Sequence, residues 1–241
     1  MTEPAKGSFN EEWAERMREA MAAELTPRRA EQRRLGDALR HLIDKLVNTE
    51  APLEEIRRAA DAAEQLAKSF EGHRQGRTYD GFAESANAGT PRAFFDHSPM
   101  MGPANPLAPP ASLIPEGDMV VGRVTFGAAY EGPPGCVHGG YVAAVFDELL
   151  GMTQSLGGQP GMTGTLTIRY RRPTPLHREL RLEGEIVAIE GRKTSTVGRC
   201  LLDGELISEA EGVFISVDLN RIAELYARRE ERRGRTGDGR A

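Results

Sequence analysis

Apolar residues recur at helical spacing through the N-terminal part of the chain. One stripe runs from Phe9 to Leu25, and a second begins after Thr26-Pro27, a capping residue followed by a first-turn proline. A third begins at Pro52 and continues to about Phe70, with charged residues on the other faces. No catalytic cluster occurs among them. The pattern predicts three helices that form a cap or an oligomerisation arm rather than an independent active domain.

The helical pattern dissolves between Gly72 and Gly117, where prolines interrupt every period. The segment nevertheless contains the apolar pairs Phe94-Phe95 and Met100-Met101, and such residues usually cover a surface. We therefore expect an extended segment that packs along the following domain rather than a free linker.

The pattern changes again after Gly117. Residues 119–126 are strand-like, and residues 139–155 predict a helix that is apolar on nearly all sides, which is typical of a buried helix. Four more strands are predicted, at residues 162–171, 179–190, 193–202 and 205–217. The dipeptide Asp203-Gly204 is a strong hairpin signal, and tight joins make neighbouring strands antiparallel. The order predicts an α+β fold in which one antiparallel sheet wraps around one central helix.

These patterns divide the chain into four parts. They are an N-terminal helical extension at 1–75, a proline-rich connecting segment at 76–116, the sheet-and-helix domain at 117–218 and a charged C-terminal helix and tail at 219–241. Within the last part, a helix is expected over 219–229 and a frayed end after it.

Charge and cysteine content narrow the classes of function. The 241 residues carry a formal net charge of -5 with acids and bases intermixed, so we expect no nucleic-acid partner. The two cysteines, Cys136 and Cys200, match neither a metal spacing nor a disulfide framework, which fits a reducing compartment. No ligand spacing links the histidines His41, His73, His97 and His177. The chain start lacks the apolar core of a signal peptide, and no run is long enough to span a bilayer. We expect a soluble cytoplasmic protein without a metal or cofactor.

The most distinctive stretch is His138-Gly139-Gly140, at the start of the predicted buried helix. Backbone N–H groups at a helix start favour negative charge, and glycines let a substrate approach that backbone. Such amides suit the oxyanion that forms when an ester or thioester is attacked. The alternative interpretation is a plain helix entry with flexible glycines.

Asp147 lies nine residues after His138, in a helix that is otherwise mostly apolar. Burying a carboxylate among apolar side chains costs several kcal/mol of stability unless it has hydrogen-bond or ionic partners, so an unpaired one indicates a functional role. Asp147 can take a proton from water or attack an acyl carbon itself. The alternative is that one of the two adjacent acids, Asp147 or Glu148, reaches solvent or pairs with an arginine, and we expect this of Glu148. The two positions point about 100° apart on a helix, so they cannot share a role.

Helix geometry separates these two candidates. Nine residues of α-helix place His138 and Asp147 about 13 Å apart along the axis, too far for both to touch one reacting carbon. Either they serve different sites, or a second copy of the chain brings its His-Gly-Gly turn to this Asp147. We favour the second copy, since a two-fold dimer makes two equivalent sites.

Thr163 begins a predicted strand sixteen residues after Asp147. Its hydroxyl is suited to hold an attacking water or a substrate carbonyl. Taken alone, it is an ordinary strand threonine.

These residues together carry a family resemblance. The segments 135–151 and 162–176 resemble the hot-dog-fold acyl-CoA thioesterases, especially those of the phenylacetate-pathway and mammalian thioesterase-superfamily-member kinds. The family pattern is a His-Gly-Gly turn, an Asp nine residues after the His, and a Thr heading a strand that ends in Tyr-x-Arg-Pro. Here these positions are His138-Gly139-Gly140, Asp147, Thr163 and Tyr170-Arg171-Arg172-Pro173, and the resemblance covers about 117–217.

The resemblance implies a hot-dog fold and a dimer with active sites between subunits. It also implies Asp147 as general base or nucleophile, and the amides of Gly139 and Gly140 as oxyanion donors. Some family members place Asn just before the His-Gly turn, whereas Gly135-Cys136-Val137 stands here, which favours the Asp/Thr subgroup. A catalytic role for Cys136 is disfavoured, because nothing around it marks a lowered thiol pKa.

The expected activity is hydrolysis of an acyl-CoA thioester by a homodimer or a dimer of dimers. Coenzyme A carries phosphates, for which the candidate partners are Arg171, Arg172, Arg192 and Lys193. The alternative for each is a solvated charge at a strand end. Two other functions stay open: a non-catalytic acyl-CoA-binding or scaffold protein, and, with less support, a hydratase on the same fold.

Overall fold

The fold is taken from a computed structural model that describes residues 10–22, 24–73, 96–159 and 161–216. The helices are α1 (Glu11–Ala22), α2 (Pro27–Leu46), α3 (Leu53–Lys68) and α4 (Gly139–Ser155). The strands are β1 (Ala111–Glu116), β2 (Met119–Thr125), β3 (Gly161–Tyr170), β4 (Glu179–Glu190), β5 (Lys193–Leu202) and β6 (Glu205–Ser216). The helix and tail predicted after residue 218 lie outside the described residues, as does the Phe94-Phe95 pair.

The six strands form one antiparallel sheet in the order β1-β2-β4-β5-β6-β3. The Asp203-Gly204 hairpin is confirmed, because both residues adopt positive φ, 51° and 83°, as a tight β5–β6 turn requires. Strand β1 was not predicted: it lies in the expected connecting segment, so the sheet begins six residues before residue 117. Its Pro115 is compatible with an edge strand, where alternate N–H groups face away from the neighbouring strand.

Helix α4 is the central element and contacts all six strands. Its side chains Phe146, Leu149 and Leu150 are almost completely buried. The sheet approaches it closely at Gly184 of β4, where an added Cβ would lie 2.2 Å from the Thr153 hydroxyl oxygen. The predicted wrapping of one antiparallel sheet around one buried helix is therefore confirmed.

The N-terminal helices α1 and α2 pack against this core. Ala14 and Met17 of α1 are fully buried in the same hydrophobic cluster as α4. The Arg40 side chain of α2 donates hydrogen bonds to the carbonyl oxygens of Pro103, Asn105 and Ala108 at 2.8 to 3.3 Å. The predicted cap is thus continuous with the core, at the end of the sheet formed by β1.

An ion cluster joins α2 to the segment that precedes β1. The buried carboxylate of Asp96 accepts hydrogen bonds from Arg29 Nε at 2.5 Å and Arg33 Nε at 2.8 Å. A buried charge is tolerated only when it is paired, and the two guanidinium groups meet that condition here.

Replacing Asp96 with Ala should therefore lower the free energy of unfolding by about 3 kcal/mol, because it leaves two guanidinium groups without their carboxylate. Chemical denaturation of the full chain measures the change. The matched control is Glu31→Ala, which breaks an exposed pair with Arg34 and should cost less than about 1 kcal/mol. Equal losses from the two variants would contradict the role given to the cluster.

The expectation that Glu148 reaches solvent or an arginine was wrong: its carboxyl is largely buried, and no arginine in the described part of the chain pairs with it. Its carboxyl accepts a hydrogen bond from the fully buried Ser98 hydroxyl at 3.3 Å, in the segment that covers α4. Burial raises the pKa of Glu148 to about 7, the Ser98 hydrogen bond acts in the opposite direction, and the charge of Asp147 raises it further. Glu148, the sequence neighbour of Asp147, therefore links α4 to the segment that contains Ser98.

This raised pKa predicts a pH-dependent stability. Between the ordinary value of 4.5 and about 7, the folded chain holds a proton on Glu148 that the unfolded chain has lost. Stability from this group is thus present at low pH and decreases as pH rises towards 7. Glu148→Gln removes that dependence and should stabilise the protein by about 2 kcal/mol at pH near 8, with little effect near pH 4. Denaturation of both proteins across this range measures it; parallel pH profiles would contradict the assignment.

Candidate active site

The exposed edge of the sheet is formed by β3. Its exposed residues include Thr163, Thr165, Thr167, Arg169 and Tyr170, and within the described part of the chain only β6 pairs with this strand. The register shifts between Thr163 and Thr165, which is a β-bulge. Bulges change the direction of side chains near sheet edges, and this one lies at the candidate residue Thr163.

Asp147 and Thr163 meet at one end of this edge. The Thr163 hydroxyl donates a hydrogen bond to Asp147 Oδ1 at 2.8 Å, on the exposed side of α4. The contact orients the carboxylate and leaves its second oxygen, Oδ2, without a hydrogen-bond donor among the described residues. The structure thus brings together two residues that the sequence placed sixteen positions apart.

The His138-Gly139-Gly140 turn begins α4, as predicted. His138 is the N-cap residue, and its Nδ1 accepts a hydrogen bond from the Gly140 N–H at 3.0 Å. Of the two amides predicted as oxyanion donors, Gly140 is therefore engaged. Within the described chain the Gly139 N–H has no hydrogen-bond acceptor. This places a free donor at the positive end of the helix dipole.

Tyr170 supports this helix start in a way that the sequence motif did not reveal. Its hydroxyl donates a hydrogen bond to the Gly139 carbonyl oxygen at 2.8 Å. Its ring lies against Gly139, where an added Cβ would be 3.5 Å from the ring. The Tyr-x-Arg-Pro pattern included Tyr170 but gave no indication that its hydroxyl binds the helix start. The end of β3 and the first turn of α4 are therefore held together.

A cleft of about 340 Å³ opens beside this turn. It is lined by Pro133, Cys136, Val137, Gly139, Val142, Tyr170, Arg171, Arg172, Pro173 and Thr174. Arg171 pairs with Glu209 at 2.5 Å and Arg172 pairs with Glu205, and all of these contacts are partly or largely exposed. Such exposed pairs contribute little to stability, so an incoming phosphate can replace either carboxylate.

The other two candidate cations lie at the opposite end of β3. Arg192 donates from Nε and one terminal nitrogen to the Ser216 carbonyl oxygen, and Ser216 pairs with Gly161 at the start of β3. Lys193 is exposed and has no ion-pair partner among the described residues. One protomer therefore presents two cations near the Gly139 cleft and two near Thr163.

The two groups of candidate residues, Asp147 with Thr163 and the turn at Gly139, lie apart within one chain. His138 and Asp147 belong to the same unbroken helix, so the axial distance of about 13 Å between them applies. Neither Asp147 nor Thr163 lines the cleft beside Gly139. The cavity behind the cleft, lined by apolar residues such as Phe126 and Phe146, measures about 10 Å³ and holds no more than a water molecule.

The described residues contain no group of three or more histidine, cysteine, aspartate or glutamate side chains that could hold a metal ion. No helix in this part of the chain is both long enough and apolar enough to cross a membrane.

Comparisons with known proteins place this geometry in a family. The model of the thioesterase superfamily matches residues 134–202. The acyl-coenzyme A thioesterase THEM4 of Bos taurus is 37% identical over 94 residues, which are 38% of each chain. The human acyl-coenzyme A thioesterase THEM5 is 32% identical over 95 residues, 39% of this chain and 38% of its own. The chain spans about two fifths of the length of the curated relatives it matches.

A solved structure extends the match beyond that segment. It is a crystal structure described as that of a thioesterase superfamily protein, 35% identical to this chain with a TM-score of 0.69. The alignment covers 76% of this chain and 94% of that one. The hot-dog fold is thereby confirmed, and the chain belongs to the thioesterase superfamily.

Proposed function

We propose that this protein hydrolyses acyl-CoA thioesters to a free acid and coenzyme A. The observation that carries the proposal is the hydrogen bond between Thr163 of β3 and Asp147, because Asp147 lies on the same helix whose first turn presents the free Gly139 N–H. The names of the matching THEM4 and THEM5 proteins support this class of substrate.

The chemistry requires a base, an oxyanion donor and a leaving group. Asp147 takes a proton from water, and the resulting hydroxide forms a bond to the thioester carbonyl carbon. The carbonyl oxygen becomes negative and accepts a hydrogen bond from the Gly139 N–H. Collapse of this intermediate breaks the carbon–sulfur bond, and the proton passes from Asp147 to the thiolate of coenzyme A. In the alternative, Asp147 attacks the carbonyl carbon and the carbon–sulfur bond breaks, which releases the thiolate of coenzyme A and leaves an acyl-Asp147 anhydride. Water then hydrolyses this anhydride to the free acid and the Asp147 carboxylate, and the proton released goes to the thiolate.

A second copy of the chain assembles these groups. Strand β3 carries Thr163 near one end and Tyr170 at the other, and its outer edge offers unpaired N–H and C=O groups. Antiparallel pairing of two β3 edges brings the Thr163 end of one copy to the Tyr170 end of the other. Each Asp147 then faces the second copy's Gly139 turn and cleft, and two-fold symmetry makes two such sites.

The same pairing gathers the cations. Arg192 and Lys193 of one copy approach the end of β3 that carries Arg171 and Arg172 in the other. This gives each site a positively charged rim suited to the phosphates of coenzyme A, while the thioester reaches Gly139 through the cleft.

Replacing Asp147 with Asn should lower kcat for acyl-CoA hydrolysis by about 10² to 10⁴-fold, because the amide cannot accept the proton of water. Release of coenzyme A from a panel of acyl-CoAs, detected with a thiol reagent, measures the rate. Asp118→Asn, in the exposed β1–β2 turn, is the matched control and should retain full activity. Unchanged turnover in Asp147→Asn would falsify the assignment of this residue. Saturable binding by the wild-type chain without thiol release from any acyl-CoA would favour the binding or scaffold function.

Thr163 provides a second test, since its hydroxyl orients the Asp147 carboxylate. Thr163→Val keeps the side-chain shape but loses the hydrogen bond, and should reduce kcat about 10 to 100-fold with little change in KM. Thr163→Ser keeps the hydroxyl and should restore most of the rate. If Val and Ser behave alike, Thr163 is an ordinary strand residue.

A further inference from the structure

Helix α3 presents an apolar face that the described chain does not cover. Leu53 is 62% exposed and Leu66 is 41% exposed, and the alanines at 59, 60, 63 and 67 are all exposed. Only Ile56, among the side chains of α3, is half-buried. No strand or other helix within residues 10–22, 24–73, 96–159 and 161–216 packs extensively on α3.

The apolar positions of α3 follow a coiled-coil spacing. Leu53, Ile56, Ala60, Ala63 and Ala67 are separated by three and four residues in alternation, which lines them up along one seam. Charged residues occupy the opposite face. A sixteen-residue helix is marginally stable in water without packing, so this seam is expected to gain its stability from a partner.

The charges beside the seam indicate which partner fits. Arg57 and Glu64 both flank it on the same side, seven residues apart. When two copies of α3 lie antiparallel, Ala60 meets Ala63 of the other copy, and Arg57 meets the other copy's Glu64 at both ends of the contact. Alanines at the centre let the two backbones approach closely. The seam and charges of one α3 are thus complementary to those of a second, antiparallel α3.

The same charges disfavour other occupants. Residues 53–68 contain four acids and three bases, without the basic face that an anionic membrane surface or a nucleic acid attracts. We propose that α3 forms an antiparallel, two-fold helix pair with α3 of a second copy of this chain.

This contact is distinct from the proposed pairing of β3, because it uses α3 (Leu53–Lys68) and not β3 (Gly161–Tyr170). A chain with two separate two-fold contacts assembles as a dimer of dimers. The α3 pair therefore joins two β3 dimers.

The test measures the mass of the full chain by light scattering in solution. Ala60→Glu places a charge at the centre of the seam without lowering helix propensity greatly, and should halve the assembly mass. Gln65→Glu adds the same charge on the opposite face and should leave the mass unchanged. Halving is expected whether the wild type contains four copies or two, so the result does not depend on the β3 contact or on thioester hydrolysis. Equal masses for Ala60→Glu and wild type would overturn the proposal.

A charge exchange tests the antiparallel register itself. Arg57→Glu and Glu64→Arg each place like charges opposite one another, so each variant alone should have half the wild-type mass. Mixed in equal amounts, the two variants have only opposite charges across the contact and should recover the wild-type mass. Recovery supports the pairing; a mixture that keeps half the mass rules it out. Circular dichroism of each variant verifies that α3 stays helical.

Discussion

The fixed length of α4 is the constraint on which the rest of the structure depends. All six strands contact this helix, so its apolar side chains hold the sheet together. The same helix carries His138 at its cap and Asp147 two and a half turns later. Because an α-helix rises about 1.5 Å per residue, no side-chain rotation brings these two positions to one carbon atom. The proposed catalytic arrangement therefore needs a second copy of the chain, whose Gly139 turn lies near this Asp147.

The order of strands in the sheet determines where a second chain can pair in the proposed assembly. The strand that carries Thr163 and Tyr170 lies at the edge of the sheet, where its outer hydrogen-bonding groups are available to another chain. The opposite edge strand, β1, contacts α1 and follows the segment whose carbonyl oxygens Arg40 of α2 binds. The two edges of the sheet therefore differ: β1 meets another element of its own chain, and β3 is the edge at which the proposed active sites are completed.

Much of the site was predictable because it depends on short-range order. The apolar pattern of residues 139–155 and 162–171 predicted a helix that starts after His138 and carries Asp147, and a strand that begins near Thr163, and the structure confirms each placement. Three features were not predictable. Strand β1 contains Pro115, and its exposed Ile114 hides the alternation of its burial from the sequence. Glu148 meets Ser98 from fifty residues away, and Tyr170 reaches from the end of β3 to Gly139 at the start of α4.

The sequence by itself determined the local elements: which residues form the buried helix, where its glycine turn begins and where the hairpins turn. These follow from apolar periodicity and backbone preferences, which act between near neighbours. Only the tertiary structure decided that Tyr170 binds the Gly139 carbonyl oxygen, and that Glu148 lies under a covering segment. It also decided which strand lies at the open edge of the sheet. Such properties depend on contacts between residues distant in the chain, and a one-dimensional pattern carries no record of those contacts.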